Sequence, residues 1–316
     1  MTLDVVVTDK SGKAVPGLQQ DDFTILDNKK PQKIASFHAV EGVKADAPVD
    51  VLILVDAVNT AFTKVAFARD QIEKFLKRDG GELARPVSLG FLTDSGLTVG
   101  SAPTRDGNAL AADMNQKVLG LRTINRDQGI YGADQRLQLS LQAIEQLIRY
   151  ETPRPGRKIV IWISPGWPLL SGPGVEMQMT GKQRQSIFNS IVSISEGLRR
   201  ARVSLYDVDP LGMSDAGGYQ TYAYEQYLKG VKKPDQAQNG NLALQVLALE
   251  SGGRVFNTGN DVAGEIALCA GDANAYYEMV YDIAPGDGPA EYHALEIKLG
   301  KRGLTPHTLT GIYGVE

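Results

Sequence analysis

The order of apolar and polar positions divides the chain into a long middle part and two ends of different character. In the middle part, mostly apolar runs such as Val49–Val55 are typical of strands buried on both faces of a sheet. They alternate with stretches such as Ala61–Lys77, in which apolar residues recur at helical spacing. This alternation predicts an α/β fold with a doubly wound, mainly parallel, Rossmann-like sheet and helices on both faces.

The middle part begins at Pro48, and we assign its predicted α/β domain to residues 48–273. Its predicted strands are Val49–Val55, Val87–Leu92, Lys158–Ile163, Val203–Val208 and Arg254–Phe256. Its predicted helices are Ala61–Lys77, Leu110–Leu119, Gln135–Tyr150, Gln183–Arg200, Ala243–Glu250 and Ala263–Ala270.

Both ends of the chain show strand patterns without helices. The predicted strands are Thr2–Thr8, Phe23–Leu26 and Lys33–Val40 at one end, and Tyr276–Ile283, Tyr292–Leu299 and His307–Tyr313 at the other. Three short strands seldom form a stable core by themselves, so we expect the two ends to pair with each other. They would form one small β-rich, sandwich-like domain (1–47 and 274–316) into which the α/β domain is inserted. The alternative is that they extend the main sheet as antiparallel edges.

Composition mainly narrows the classes of partner. Lys and Arg number 33 against 37 Asp and Glu, which gives a net charge of −4 without a long run of one sign. This balance does not suggest a nucleic acid or an anionic membrane surface as a partner. No apolar stretch reaches the ~18 residues of a membrane-spanning helix, and the N-terminus lacks the pattern of a signal peptide. The single cysteine, Cys269, excludes an intrachain disulfide and a cysteine metal cluster.

Candidate chemistry lies where the predicted parallel strands end, because open sheets bind ligands beyond the carboxyl ends of their strands. Asp56, Ser164 and Asp209 stand at three such ends. A carboxylate directly after a buried strand is costly unless it is hydrogen-bonded, paired or metal-bound, which makes Asp56 the most informative of the three. Asn59 and Thr60, which follow it, are residue types that cap helices well, so we expect them to open the next helix.

The apolar strand with Asp56-Ala57-Val58-Asn59-Thr60, and the later IVIWISPGWP, resemble a von Willebrand factor type A (VWA) domain. The similarity is closest to the bacterial, acidobacterial-type VWFA-related proteins and covers nearly the whole chain, from VVVTDKSGKAVPGL through PGRKIVIWISPG to YDVDPLG and the last strands. It implies a VWA-like sheet whose first and fourth strands are central neighbours. It also implies protein binding, Mg²⁺ at the carboxyl edge, and a periplasmic or secreted location.

The metal motif of that family is incomplete in this chain. Asp56 and Thr60 match the first and last positions of Asp-x-Ser-x-Ser, but Val58 takes the middle position and cannot ligate a metal. Asp134 and Ser164 lie near the other two positions, where the family has Thr and Asp. The resemblance therefore implies a degenerate metal-ion-dependent adhesion site. We expect that no cofactor is required, and that Mg²⁺ is the ion that this set could hold weakly.

These features predict a non-enzymatic protein-binding, adhesion-type module with a partner of unknown identity. The expected partner contacts are Asn59, Trp167, Asp209, Tyr222 and Tyr224. Aromatic residues are enriched at interface hot spots, although Trp167 and the tyrosines could equally pack on their own domain. One alternative is a haloacid-dehalogenase-like phosphatase with Asp56 as nucleophile, in which Val58 would replace the acid/base carboxylate. Another is a structural self-assembly protein.

Overall fold

The computed structural model describes residues 1–42, 48–100, 102–117, 129–170, 179–210, 223–257, 259–283 and 291–314. The strands in this part are β1 (Thr2–Thr8), β2 (Phe23–Asp27), β3 (Lys30–Gln32), β4 (Ile34–Glu41), β5 (Val49–Asp56), β6 (Glu82–Thr93), β7 (Gly96–Val99), β8 (Thr104–Asp106), β9 (Arg157–Ile163), β10 (Val203–Val208), β11 (Val255–Phe256), β12 (Ala275–Tyr281), β13 (Tyr292–Leu299), β14 (Thr305–His307) and β15 (Gly311–Tyr313). The helices are α1 (Phe62–Leu76), α2 (Gly107–Gln116), α3 (Gly129–Glu151), α4 (Gly181–Arg200), α5 (Leu244–Glu250) and α6 (Val262–Gly271).

The central sheet has the strand order β11-β10-β9-β5-β6-β7, with β8 also paired to β6. Strands β11 to β6 of this order run parallel, whereas β7 and β8 are antiparallel to β6. The sequence prediction of a mixed α/β fold with a mainly parallel sheet is confirmed. Strand β9 lies between β5 and β10, so the strands that end beside Asp56, Ser164 and Asp209 are neighbours in this sheet.

Helices cover both faces of this sheet. One face packs on α1, α2 and α6 through residues such as Ile72, Leu110 and Ile266. The other face packs on α3, α4 and α5 through residues such as Leu147 and Ile191. Because successive residues of a strand point to opposite faces, every second residue of a central strand faces the same core. The strand residues in the second core include Leu52, Leu54, Val160, Trp162 and Leu205.

The strands from the two ends of the chain pair with each other. One antiparallel sheet has the order β14-β1-β12-β4 and another has the order β15-β13-β2-β3. Both sheets contribute to a single apolar core that includes Val5, Ile25, Tyr277 and Ile297. Within the described residues, neither sheet joins the central one. The domain boundaries at residues 47 and 274 stay a prediction.

A buried charged cluster connects the central sheet with the terminal strands. The Asp272 side chain is fully buried, and its Oδ2 accepts hydrogen bonds from Tyr206 Oη at 3.0 Å and Arg254 Nη1 at 3.2 Å. Arg254 also donates to the carbonyl of Gly12, in the turn that follows β1, at 3.0 Å. Arg157 donates to the Asp272 carbonyl at 2.9 Å and lies over the Tyr276 ring. The cluster therefore joins residues from distant parts of the sequence.

Candidate functional site

The residues that follow three adjacent parallel strands form one row at the carboxyl edge of the central sheet. Ile163 of β9 pairs with Val55 on one side and with Val208 on the other. The next residues along the three strands are therefore Asp56, Ser164 and Asp209. All three are buried, with Asp56 and Ser164 at 0% exposure and Asp209 at 6%.

The Asp56 carboxylate is held entirely by hydrogen bonds. Its Oδ1 accepts from the backbone N–H groups of Val58, at 3.0 Å, and Asn59, at 2.8 Å. Its Oδ2 accepts from three side chains: Asn59 Nδ2 at 2.8 Å, Ser164 Oγ at 3.0 Å and Trp162 Nε1 at 3.1 Å. A carboxylate offers about four lone-pair positions, so these donors occupy its acceptor capacity.

The donors around Asp56 are themselves positioned by the fold. Trp162 lies on the face of β9 that carries the second core, directly under the Asp56 side chain. Asn59 is anchored to α3, because its Nδ2 also donates to Ser140 Oγ at 2.9 Å. Helix α1 begins at Phe62 with Ala61 as its cap, so the prediction that Asn59 and Thr60 open this helix is wrong. They belong to the loop that wraps the carboxylate.

Burial dominates the electrostatics of this edge. It raises the pKa of the Asp56 carboxyl, and the hydrogen bonds from Asn59, Trp162 and Ser164 oppose that effect. Burial also raises the pKa of Asp207 well above its usual value, and the charges of Asp209 and Asp56 add to the shift. A shift in this direction means that burial makes each of these carboxyl groups harder to ionise than it is in water.

The residues of the implied metal set do not all meet at Asp56. Thr60 and Ser164 are both buried, and Ser164 Oγ donates to Asp56. Asp134, in contrast, is exposed. Asp134 lies inside α3, which begins at Gly129 rather than at the predicted Gln135, and the residue of α3 that reaches the site is Ser140. Val58 is buried in the middle motif position. Among the described residues, no group of three or more His, Cys, Asp or Glu side chains could hold a metal ion.

Most predicted partner contacts are buried. Trp167 is 4% exposed and packs edge-on against Trp162, with ring centroids 5.2 Å apart. Asn59 and Asp209 are buried at the sheet edge, and Tyr224 packs in an apolar cluster with Tyr227. Tyr222 lies outside the described residues. For Trp167 and Tyr224 the structure therefore favours the alternative in which these side chains pack on their own domain.

Two other aromatic side chains at this edge are exposed. Phe62, the first residue of α1, is 71% exposed, and Tyr131, in the first turn of α3, is 81% exposed. Helix α1 follows β5, and α3 precedes the parallel strand β9, so both helices begin at the carboxyl edge. Large apolar groups are therefore available to solvent at the edge where open α/β sheets bind their ligands.

Sequence reasoning missed Trp162 and Ser140 as members of this site. Trp162 was read only as a strand residue in KIVIWI. Its place two residues before Ser164 is the signal that could have identified it, because residues at that spacing share one face of a strand. Ser140 carried no comparable signal, since its contact with Asn59 depends on how α3 packs.

Glu265, in the first turn of α6, is expected to make the stability of the fold depend on pH. Burial and the charges of Asp261 and Asp209 raise its pKa to about 7. Because the folded value exceeds the unfolded one, the stabilisation is complete below about pH 4.5 and is lost as the pH rises through 7. We expect Glu265→Gln to be about 1 kcal/mol more stable than the parent chain at pH 8, a value discounted for solvent screening.

Urea denaturation at pH 8 and at pH 4.5 measures this difference. The gain should nearly disappear at the lower pH, since the parent carboxyl is then protonated in the folded state and about half protonated in the unfolded state. An equal gain at both pH values would mean that packing, not ionisation, distinguishes the two side chains.

The described residues contain no helix that is long and apolar enough to cross a membrane. No family model and no curated protein matches the chain. Solved structures that match include the SpRpn10 VWA domain, at 15% identity and a TM-score of 0.26, covering 55% of this chain and 84% of that one. The manganese-loaded Plasmodium vivax TRAP protein matches at 11% identity and a TM-score of 0.36, covering 86% and 96%.

The PilB minor pilin from Streptococcus sanguinis, as a mutant, matches at 13% identity and a TM-score of 0.36. That match covers 71% of this chain, and the chain spans 60% of the length of the pilin. At these scores the three similarities concern general architecture only.

Proposed function

We propose that this chain is a non-enzymatic, adhesion-type protein-binding module whose sheet edge is stabilised by hydrogen bonds in place of a metal ion. The observation that carries the proposal is the buried Asp56 carboxylate, which accepts from backbone donors on Oδ1 and from Asn59, Ser164 and Trp162 on Oδ2. The resemblance noted in the sequence supports a periplasmic or secreted location and a protein partner as parts of the same proposal.

This geometry argues against the phosphatase alternative. A nucleophilic carboxylate must present an oxygen to the substrate with a free lone pair. Asp56 is 0% exposed and its two oxygens are already engaged, while Val58 supplies no acid or base beside it. We therefore expect no hydrolysis of phosphate monoesters above the rate of an Asp56→Asn variant.

The same geometry predicts that the fold does not depend on a bound cation. An ion present at one hundred times its dissociation constant would add about 2.7 kcal/mol to the free energy of unfolding. We expect EDTA to leave the melting temperature unchanged, because Asp56 is satisfied by Trp162, Ser164 and its own loop. Differential scanning calorimetry with EDTA, and then with added Mg²⁺, measures this. A melting temperature that EDTA lowers and added Mg²⁺ restores would contradict the proposal.

The exposed aromatic pair suggests where a partner binds. Interface hot spots are enriched in large aromatic side chains, and among the described residues Phe62 and Tyr131 are exposed side chains of this type at the edge. We expect the double variant Phe62→Ala, Tyr131→Ala to bind its partner at least about tenfold more weakly, with no change in melting temperature. Phe67→Ala is the matched control, because Phe67 is 39% exposed on the same helix α1.

The measurement is capture on the immobilised chain of proteins from the cell-envelope fraction of the source organism, quantified by mass spectrometry. A protein retained by the parent chain and by Phe67→Ala, but lost with the double variant, supports binding at this edge. Retention by all three chains would place the interface elsewhere. If the immobilised chain captured only further copies of itself, the result would favour self-assembly.

A further inference from the structure

A cavity of about 200 Å³ lies at the amino-terminal ends of the parallel strands, at the opposite edge of the central sheet from Asp56. Its walls come from β5, β6, α1 and α6. Most of the lining is apolar: Val51, Phe75, Leu83, Val87, Ala267 and Ala270. The cavity is therefore separate from the candidate site, and its ligand chemistry is independent of the proposed function.

One charged side chain also lines the cavity and is itself buried. Arg85 of β6 is 6% exposed. Its Nε donates to Asn274 Oδ1 at 2.9 Å, and its Nη2 donates to the carbonyl of Gly42 at 2.8 Å. A guanidinium carries five N–H donors in a planar fork, so these two bonds fix its orientation and leave donor capacity for another acceptor.

The side chains that act on the charge of Arg85 are not carboxylates. Burial lowers the pKa of Arg85, Tyr276 opposes that shift, and the positive charge of Arg105 adds to it. The carbonyl ends of α1 and α6 lie at this edge and favour a positive charge, so the guanidinium remains charged. Arg78, Asp79 and Glu82 also line the cavity, but all three are exposed and their charges are screened by solvent.

We infer that this cavity binds a small monocarboxylate with a compact apolar or aromatic part. The carboxylate would accept paired hydrogen bonds from Arg85, a geometry that favours planar anions. The apolar part would lie against Phe75, Val87 and Ala270. The size agrees, because a dry apolar cavity of ~150 Å³ takes up benzene.

Benzoate and benzamide are suitable probes because they share a shape and differ in charge. Chemical-shift titration of the whole chain by NMR gives both affinities. We expect benzoate to bind with a dissociation constant on the order of 1 mM or tighter, and at least about tenfold more tightly than benzamide. Equal affinities, or no benzoate binding in this range, would overturn the inference.

Two variants locate the binding. Arg85→Gln removes the cation and should abolish the preference for benzoate over benzamide. Ala270→Leu fills the cavity without touching Arg85 and should abolish the binding of both probes, whereas Ala66→Leu, on the exposed face of α1, should leave it intact. If Arg85→Gln does not fold, Ala270→Leu still decides the question, because benzoate binding that survives it cannot occur in this cavity.

Discussion

Asp272→Ala should lower the free energy of unfolding by about 3–5 kcal/mol, because it leaves buried cations without their partner. The Asp272 carboxylate is fully buried and accepts from Arg254 and Tyr206, while Arg157 holds its carbonyl. Removal of the carboxylate leaves the buried Arg254 guanidinium and the Tyr206 hydroxyl without this acceptor. The cluster also joins Gly12 of the terminal sheets to the central sheet, so the loss should affect both.

Urea denaturation monitored by tryptophan fluorescence measures this effect. Glu278→Gln is the control, because Glu278 pairs with Arg202 at 2.5 Å but both side chains are 33% exposed, and such a pair contributes about 1 kcal/mol or less. The double variant Asp272→Ala, Arg254→Met should recover part of the loss, since it removes the unpaired charge as well. A cost for Asp272→Ala no larger than that for Glu278→Gln would show that water solvates the cluster.

The sequence predicts the elements of this fold well where one periodicity dominates. Strands β1, β10 and β13 begin and end at the predicted residues, because apolar alternation or an apolar run stops sharply at each end. Helix α3 begins before its predicted start, at Gly129, since its first turn contains two glycines and an exposed Tyr131 and gives no apolar period. Strand β7 (Gly96–Val99) was missed because it is short and begins with glycine.

The candidate site is predicted only in part, and the reason is physical. The position of Asp56 after a buried strand follows from the sequence pattern, whereas the strand order that places Asp56, Ser164 and Asp209 side by side was implied only by the family resemblance. The burial of Trp167 could not, because it depends on the packing of that ring against Trp162 at 5.2 Å across a loop. Side-chain exposure in loops is a tertiary property, and residue type alone does not determine it.

The same limit applies to the metal motif. The spacing of Asp56, Val58 and Thr60 matches the family's motif at two of three positions, but it does not show what else contacts the Asp56 carboxylate. In the structure, Trp162 Nε1 and Ser164 Oγ donate to this carboxylate from β9 and from the residue that follows it. These contacts depend on the pairing of β9 with β5, which residue spacing does not reveal.

Asp56→Ala tests whether the hydrogen bonds to this carboxylate stabilise the fold. It should lower the free energy of unfolding by about 3 kcal/mol or more. The substitution leaves the indole N–H of Trp162, the Asn59 amide and two backbone N–H groups without their acceptor in a fully buried position. Each buried donor left unpaired costs about 1–3 kcal/mol, less where neighbouring groups rearrange. Asp56→Asn should cost less, because its carbonyl oxygen can still accept from the backbone N–H groups of Val58 and Asn59. A cost remains, because its NH₂ group would face the side-chain donors that now bind Oδ2.

Trp162→Phe completes the series, since it removes one donor and keeps most of the ring that packs on Trp167. Its expected cost is about 1 kcal/mol, the net value of one hydrogen bond. Chemical denaturation of the three variants with and without EDTA should give the order Ala, Asn, Phe from largest to smallest loss, unchanged by the chelator. If Asp56→Ala were nearly neutral, water or a cation would have to satisfy these donors and acceptors in the parent chain, and hydrogen bonding could not be what holds the edge together.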